Sequence, residues 1–367
     1  ATVTWASSNT SYATVSSAGL VTAVADGSAT ITATSGSATK TASITVGQVA
    51  NSVTLTPTSK TLTSIGETVT LVPTVKDAGG NTMPGATVTW SSANTAVATV
   101  LSNGLVTAIS EGAVIILATS GSATKTASIT VAQAASSVTL SPTSKTFTSF
   151  GDTATLATTV KDAGGNTMSG ATVTWASSNT SYATVSSAGL VTAVANGTAT
   201  ITATSGSATK TASITVGQAA SSVTLSPTSK TFTSVGDTAT LATTVKDAGG
   251  NTMSGATVTW ASSNTSYATV SSAGLVTSVA DGSATITATS GSATKTASIT
   301  VGQVASSVTI SPTSKTLTSV GDTVTLVATV KDAGGTAITG KTVTWEPQSS
   351  SIATVNSAGL VTGIGSG

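Results

Sequence analysis

Four copies of Ser-Ala-Thr-Lys, at Ser37–Lys40, Ser122–Lys125, Ser207–Lys210 and Ser292–Lys295, place a hydroxyl three residues ahead of an amine. That is the S-x-x-K spacing of serine acyl-transfer enzymes, in which the Ser is the nucleophile. Each copy sits in "TSGSATKTASITV", where apolar and polar residues alternate. Alternation of that kind is a strand, and on a strand residues three apart point to opposite faces, so Ser and Lys cannot meet. The motif predicts a strand start with a solvated Lys.

Other chemistry-bearing residues are few. Cys and His are both absent, which removes disulfides, thiolate nucleophiles, imidazole or thiolate zinc sites, and every dyad or triad that uses His as base. Asp77, Asp162, Asp247 and Asp332 begin "DAGG" stretches, and Asp152, Asp237 and Asp322, with Glu67 in the equivalent place, follow a Gly. Calcium needs several carboxylate and carbonyl oxygens together. No D-x-D-x-D series occurs, and Asp beside Gly is an ordinary turn former. Lys76, Lys161, Lys246 and Lys331, possible partners in an isopeptide bond, follow an inward-facing Val and are expected to point outward. No catalytic residue, no metal ligand and no cofactor-binding set is expected, and the chain reads as non-enzymatic.

The 13 Lys and 12 acidic residues leave a net charge of +1, spread singly and without Arg. There is no basic patch for phosphates, so no nucleic-acid partner is expected. With 39% hydrophobic and 7% charged residues over 367 positions, the chain is too apolar to be a solvated tail. The longest apolar run, Ala113 to Ala118, is far short of the roughly 18 residues of a spanning helix. No membrane span is expected in this stretch. No basic-then-apolar leader opens it, so any secretion signal is expected to lie outside it or to have been removed.

What must hold these residues in place is a repeat. Trp5, Trp90, Trp175, Trp260 and Trp345 are the only tryptophans and stand 85 residues apart, and Gly19, Gly104, Gly189, Gly274 and Gly359 keep the same step. That period is longer than the roughly 20–50 residues of solenoids and propellers and long enough for each copy to be a domain with its own core. The polar junctions "GQVANS", "AQAASS", "GQAASS" and "GQVASS" divide the chain into a partial repeat over 1–49, whole repeats over 50–134, 135–219 and 220–304, and a second partial repeat over 305–367. Junctions this short predict restricted hinges and a semi-rigid rod.

Inside a repeat, stretches such as "TATITAT" and "TASITV" alternate with period two, putting Ala199, Ile201 and Ala203, then Ala212, Ile214 and Val216, on one face and Thr or Ser on the other. Turn signals such as "DAGGN", "SVGD" and "TSGS" bound these strands. Pro57, Pro142, Pro227 and Pro312 fall early in each copy, where a missing N–H suits an edge or a strand break. Seven or so short strands in 85 residues, with no convincing helix, predict an all-β fold, a two-sheet Greek-key sandwich.

The stretch "VTWASSNTSYATVSSAGLVTAVADGSATITATSG", with its Trp, its "ATV", its "GLVTAV" and its Gly ahead of "ATITA", closely resembles the bacterial immunoglobulin-like domain of group 2. The likeness recurs in every repeat. It implies tandem Ig-like sandwiches of the kind found in bacterial surface proteins, adhesins and phage tail or capsid decorations, and it does not imply an enzyme. The five tryptophans are then one structural core residue per sandwich rather than a ladder of sugar platforms, since Val88 and Trp90 share a parity and each Trp lacks flanking aromatics. Tyr12, Tyr182 and Tyr267 are met by Val97 and Ile352 in the other copies, so bulk rather than a hydroxyl is expected to matter there.

Residues 1–50 and 256–305 differ only at Ala23 and Ser278. Copies this alike are expected to set reach and stiffness rather than recognition. The expected function is an extracellular or cell-surface structural rod or filament whose partners are other copies of itself, meeting through neutral Thr and Ser faces. The alternatives are the stalk of an adhesin whose tip, and with it any host or surface ligand, lies outside this stretch, and a fibre or decoration on a virion surface. The two ends read as a window on a longer array.

Overall fold

A computed structural model describes residues 2–367. Among them every regular element is a strand and none is a helix. The chain divides into two compact units, one of Ala1–Ser141, Ala157–Trp175 and Thr202–Thr211, the other of Pro142–Leu156, Ala176–Ile201 and Ala212–Gly367.

The first unit contains the whole repeat 50–134, whose nine strands among the described residues are β1 Ser52–Thr56, β2 Ser59–Leu62, β3 Thr68–Thr70, β4 Val72–Lys76, β5 Thr89–Ser92, β6 Ala98–Val100, β7 Leu105–Ala108, β8 Gly112–Ser120 and β9 Ala123–Val131. They form a four-stranded sheet in the order β5-β8-β9-β2, a three-stranded sheet β6-β7-β3 and a two-stranded sheet β1-β4. The β8–β9 hairpin is the longest pairing, running from Gly112↔Val131 to Ser120↔Ala123. Its two-residue loop has Gly121 at φ +57° and no positive φ at Ser122, the sign pattern of a type II′ turn, whose twist matches that of the strands.

The alternation decides which face is buried. Val114, Ile116 and Ala118 of β8 and Ala127, Ile129 and Val131 of β9 meet Val53, Leu55, Val75, Ala98 and Val106 from the other two sheets in one cluster. Ile116 and Ile129 are fully buried, each contributing about 1.5–3 kcal/mol by the area removed from water.

Nine strands appear where about seven are expected because two breaks interrupt the alternation. Pro57 falls between β1 and β2, which lie in different sheets, and its missing N–H costs no ladder bond at such a corner. Leu71, fully buried, separates β3 from β4 and donates its N–H to the Gly104 carbonyl.

Trp90 is half-buried and packs on the cluster. Gly104 has φ +81°, and a Cβ there would lie 2.9 Å from the Trp90 ring and against the Leu71 carbonyl oxygen. Only Gly fits, which is why Trp and Gly recur in step.

The second unit contains the whole repeat 220–304 with the same plan. Its four-stranded sheet joins Thr259–Ser262, Gly282–Ser290, Ala293–Val301 and Ser229–Phe232, and Phe232, Ile286 and Ile299 fill the core. Trp260 and Tyr267 are partly buried against that core.

Trp175 and Trp345 are half-buried as well. Trp5 is more exposed, at 38%.

Candidate functional site at the repeat junctions

Ser122 occupies the hairpin turn and Lys125 an exposed strand position, and among the described residues no hydrogen bond joins them. Glu67 Oε2 accepts the N–H groups of Thr63 and Ser64, and Asp152 Oδ2 that of Ser149, so these carboxylates close local turns. Among the described residues no three Asp or Glu side chains converge on one point. The carboxylates of the "DAGG" turns do more than turn the chain.

In the first unit, Asp162 is 3% exposed. Its Oδ1 accepts the Asn166 N–H at 2.9 Å, which closes its own turn. Its Oδ2 accepts the Gln133 side-chain amide at 2.8 Å and the Ile65 N–H at 3.0 Å. Gln133 belongs to the junction "AQAASS" and Ile65 to the β2–β3 loop of the preceding repeat. One carboxylate thus gathers a repeat, its linker and the repeat before it. The contact is returned by Asn166, whose Nδ2 donates to the Ile65 carbonyl at 2.9 Å.

The second unit contains the arrangement twice. Asp247 Oδ2 accepts Gln218 Nε2 at 2.9 Å and the Phe150 N–H at 3.2 Å, Asn251 Nδ2 donates to the Phe150 carbonyl at 3.0 Å, and the Gly249 N–H donates to Ser149 Oγ at 3.1 Å. Asp332 Oδ2 accepts Gln303 Nε2 at 2.8 Å and the Val235 N–H at 3.0 Å, with Thr336 in the place of Asn. Back in the first unit, Asp77 Oδ2 accepts Gln48 Nε2 at 2.8 Å.

Each linker Gln is also held by its main chain. The N–H groups of Gln48, Gln133, Gln218 and Gln303 donate to Asp26, Glu111, Asn196 and Asp281, the residues ahead of the Gly that opens the long hairpin. The Gln is therefore fixed to the repeat behind it by its backbone and to the repeat ahead by its side chain.

Burial alone would push the Asp162 and Asp247 carboxyls up. Gln133, Asn166 and Ile65 for the first, and Gln218, Asn251 and Phe150 for the second, override burial with hydrogen bonds to the charged form and hold both carboxyls at about 2. The Gln303 amide, against the burial of the site and with help from the Val235 N–H, likewise lowers Asp332, and Gln48 lowers Asp77. A carboxylate that is ionised at neutral pH has no proton to give as a general acid, and the oxygens of Asp162 are already taken by amide donors of its own chain. It is a latch.

Gly164 completes the geometry. A Cβ there would lie 2.8 Å from Asn166 Nδ2 and 3.0 Å from the Ile65 carbonyl oxygen, so the preceding repeat approaches too closely for a side chain. Gly249 and Gly334 stand in the same relation to Phe150 and Val235, at 3.3 and 3.1 Å. Sequence reasoning reads these Asp and Gly residues as a turn and misses the latch. The signal it had was the single Gln at every junction, again 85 residues apart.

Several known proteins are similar to this chain. Ice-binding protein 1 of Shewanella frigidimarina (strain NCIMB 400) is 34% identical over 290 residues, covering 78% of this chain and 32% of that protein. The chain spans about a third of the length of that relative. Among solved structures, invasin, a bacterial integrin-binding protein, is 17% identical with a TM-score of 0.35, covering 82% of this chain and 72% of the other. The surface layer protein SbsC, domains 1–6, is 24% identical with a TM-score of 0.25, covering 89% and 51%. The family described as the bacterial Ig-like domain (group 2) matches residues 1–46, 49–131, 134–216, 219–301 and 304–367. Five matches in tandem account for nearly every position, and the chain belongs to the bacterial Ig-like domain (group 2) family.

Proposed function

We propose that this chain is a non-enzymatic structural segment, an extracellular or cell-surface rod made by repeating one Ig-like domain over 50–134, 135–219 and 220–304, with parts of the same domain over 1–49 and 305–367. The observation that carries the reading is the carboxylate latch, repeated with the same partners at Asp162, Asp247 and Asp332. A swivelling linker has no use for a buried Asp that binds the linker and the preceding domain together. Near-identity of the copies supports spacing over recognition. Contacts between neighbouring chains through their neutral Thr and Ser faces belong to the same reading and would make the rod a filament.

The test is small-angle scattering with electron microscopy of the chain in solution. Domains about 35–40 Å long, from strands of ~10 residues at ~3.3 Å each, give a particle on the order of 150 Å. Rods of that length with a bead every ~40 Å support the proposal. A collapsed particle, or domains in random mutual orientation, sinks it.

A second reading is favoured by one observation. Two thirds of the ice-binding relative lies outside the part that this chain matches, so the repeats would be the stalk of a larger protein that binds its target elsewhere. On that reading the chain by itself is left in the liquid when ice is grown slowly from its solution. Its enrichment in the ice would make the Thr faces a binding surface and overturn the spacer role.

A further inference from the structure

The repeat is tied at its two ends by parallel strands. In 220–304, Ser229–Phe232 near the N-terminus pairs in parallel with Ser298–Val301 at the C-terminus, in the register Ser229↔Ser298, Lys230↔Ile299, Thr231↔Thr300 and Phe232↔Val301. The ladder extends past both strands, because Ser298 N–H donates to the Thr228 carbonyl, Gly302 N–H to that of Phe232 and Val304 N–H to that of Thr233, each at 3.0 Å. In 50–134, β2 and β9 pair the same way, and Ala132 and Ala134 carry the ladder to the last residue of the repeat. Phe232 and Val301, or Leu62 and Val131, bury their side chains at the end of the pair.

Tension along the chain draws the first of these strands toward its N-terminus and the last toward its C-terminus. Two parallel strands pulled that way slide along their common axis, and the bonds between them, evenly spaced along the pair, are loaded together. Each such bond is weak on its own, since water offers the same groups partners, so resistance comes from their breaking at once. The upstream strand Ser222–Ser226 is likewise drawn along its own axis against Ala242–Lys246.

We infer that each repeat is a force-bearing module, with the terminal parallel pair as its clamp. This goes beyond a spacing role, because it concerns the single repeat and holds whatever the rod carries. The load in question is tension along the chain, as a tether feels when its two ends are held by different bodies.

The experiment uses the full chain carrying Ser229→Cys and Ser298→Cys. Both serines are exposed and are register partners, and the protein has no other Cys. With the thiols kept reduced, the protein is pulled in an optical trap in two ways, by handles at the chain ends and by handles on the two cysteines. The second geometry opens the same pair from one end, one bond after another. The repeat is expected to give way at a force about two-fold or more lower through the cysteines than through the ends, because roughly one bond instead of several resists at any moment. Equal forces, or a weaker repeat in the end-to-end pull, overturn the inference. If the double variant does not fold, Thr231→Cys with Thr300→Cys, also exposed register partners, replaces it. A rod that scatters as proposed yet yields equally in both directions would refute the clamp alone.

Discussion

Asp162 shows how a short polar residue can act across three parts of a chain. Its turn partner Asn166 is four residues away, but Gln133 is 29 away and Ile65 is 97 away. The turn was legible in "DAGGN" because Asp and Gly shape the chain locally. The latch was not, because no local pattern records which backbone N–H will arrive from another domain. Its titration makes a prediction. The folded carboxyls of Asp162 and Asp247 lie at about 2, below the ordinary value of 3.8. A depressed carboxyl stabilises fully above its unfolded value, and that contribution fades as pH falls through the folded one. The melting temperature of the chain should therefore hold between about pH 8 and pH 5 and fall between about pH 4 and pH 2. Replacing Asp162, Asp247 and Asp332 by Asn should lower it at neutral pH and shrink the acid-dependent drop. A drop of unchanged size in the triple variant would assign the acid sensitivity to other carboxylates.

At the scale of the element, the long hairpin was readable from alternation alone. Ala293, Ala297, Ile299 and Val301 are buried while Thr294, Thr296 and Thr300 are exposed, as period two requires. What alternation could not show was where the chain goes at the breaks. The buried parity shifts between Leu55 and Leu62 across Pro57, but nothing in that shift says that the strands on either side lie in different sheets. The stability of a repeat should accordingly depend on the inward set. Ile299→Ala, at a position 1% exposed, is expected to cost about 2–5 kcal/mol in urea unfolding, from lost transfer energy and the cavity left behind. Thr296→Ala on the outer face of the same strand should stay within about 0.5 kcal/mol. Comparable losses at the two positions would mean that the Thr face is covered in solution, which a shift in sedimentation would then detect.

For the whole molecule the question is whether neighbouring repeats unfold alone or together. In a linear array each repeat has an intrinsic stability and a coupling to the next, and the coupling resides at the junctions. Short polar linkers made restricted hinges an expectation from sequence, but length alone assigns no coupling energy. The latch supplies a source for one, since hydrogen bonds to a charged group are worth about 1.5–3 kcal/mol each. The glycines of the junction allow the coupling to be loosened while the carboxylate itself is kept. Their φ values lie outside the left-handed region, and the nearest atoms beyond their own turns belong to the preceding repeat. Gly164→Ala, Gly249→Ala and Gly334→Ala should push the repeats apart at the carbonyls of Ile65, Phe150 and Val235 while leaving each sandwich intact. The expected result is a thermal transition that starts at a lower temperature and is broader than that of the parent chain, with unchanged far-ultraviolet circular dichroism at 20 °C. A transition as sharp as the parent's, at the same temperature, would mean that the repeats are energetically independent and that the latch sets direction without transmitting stability.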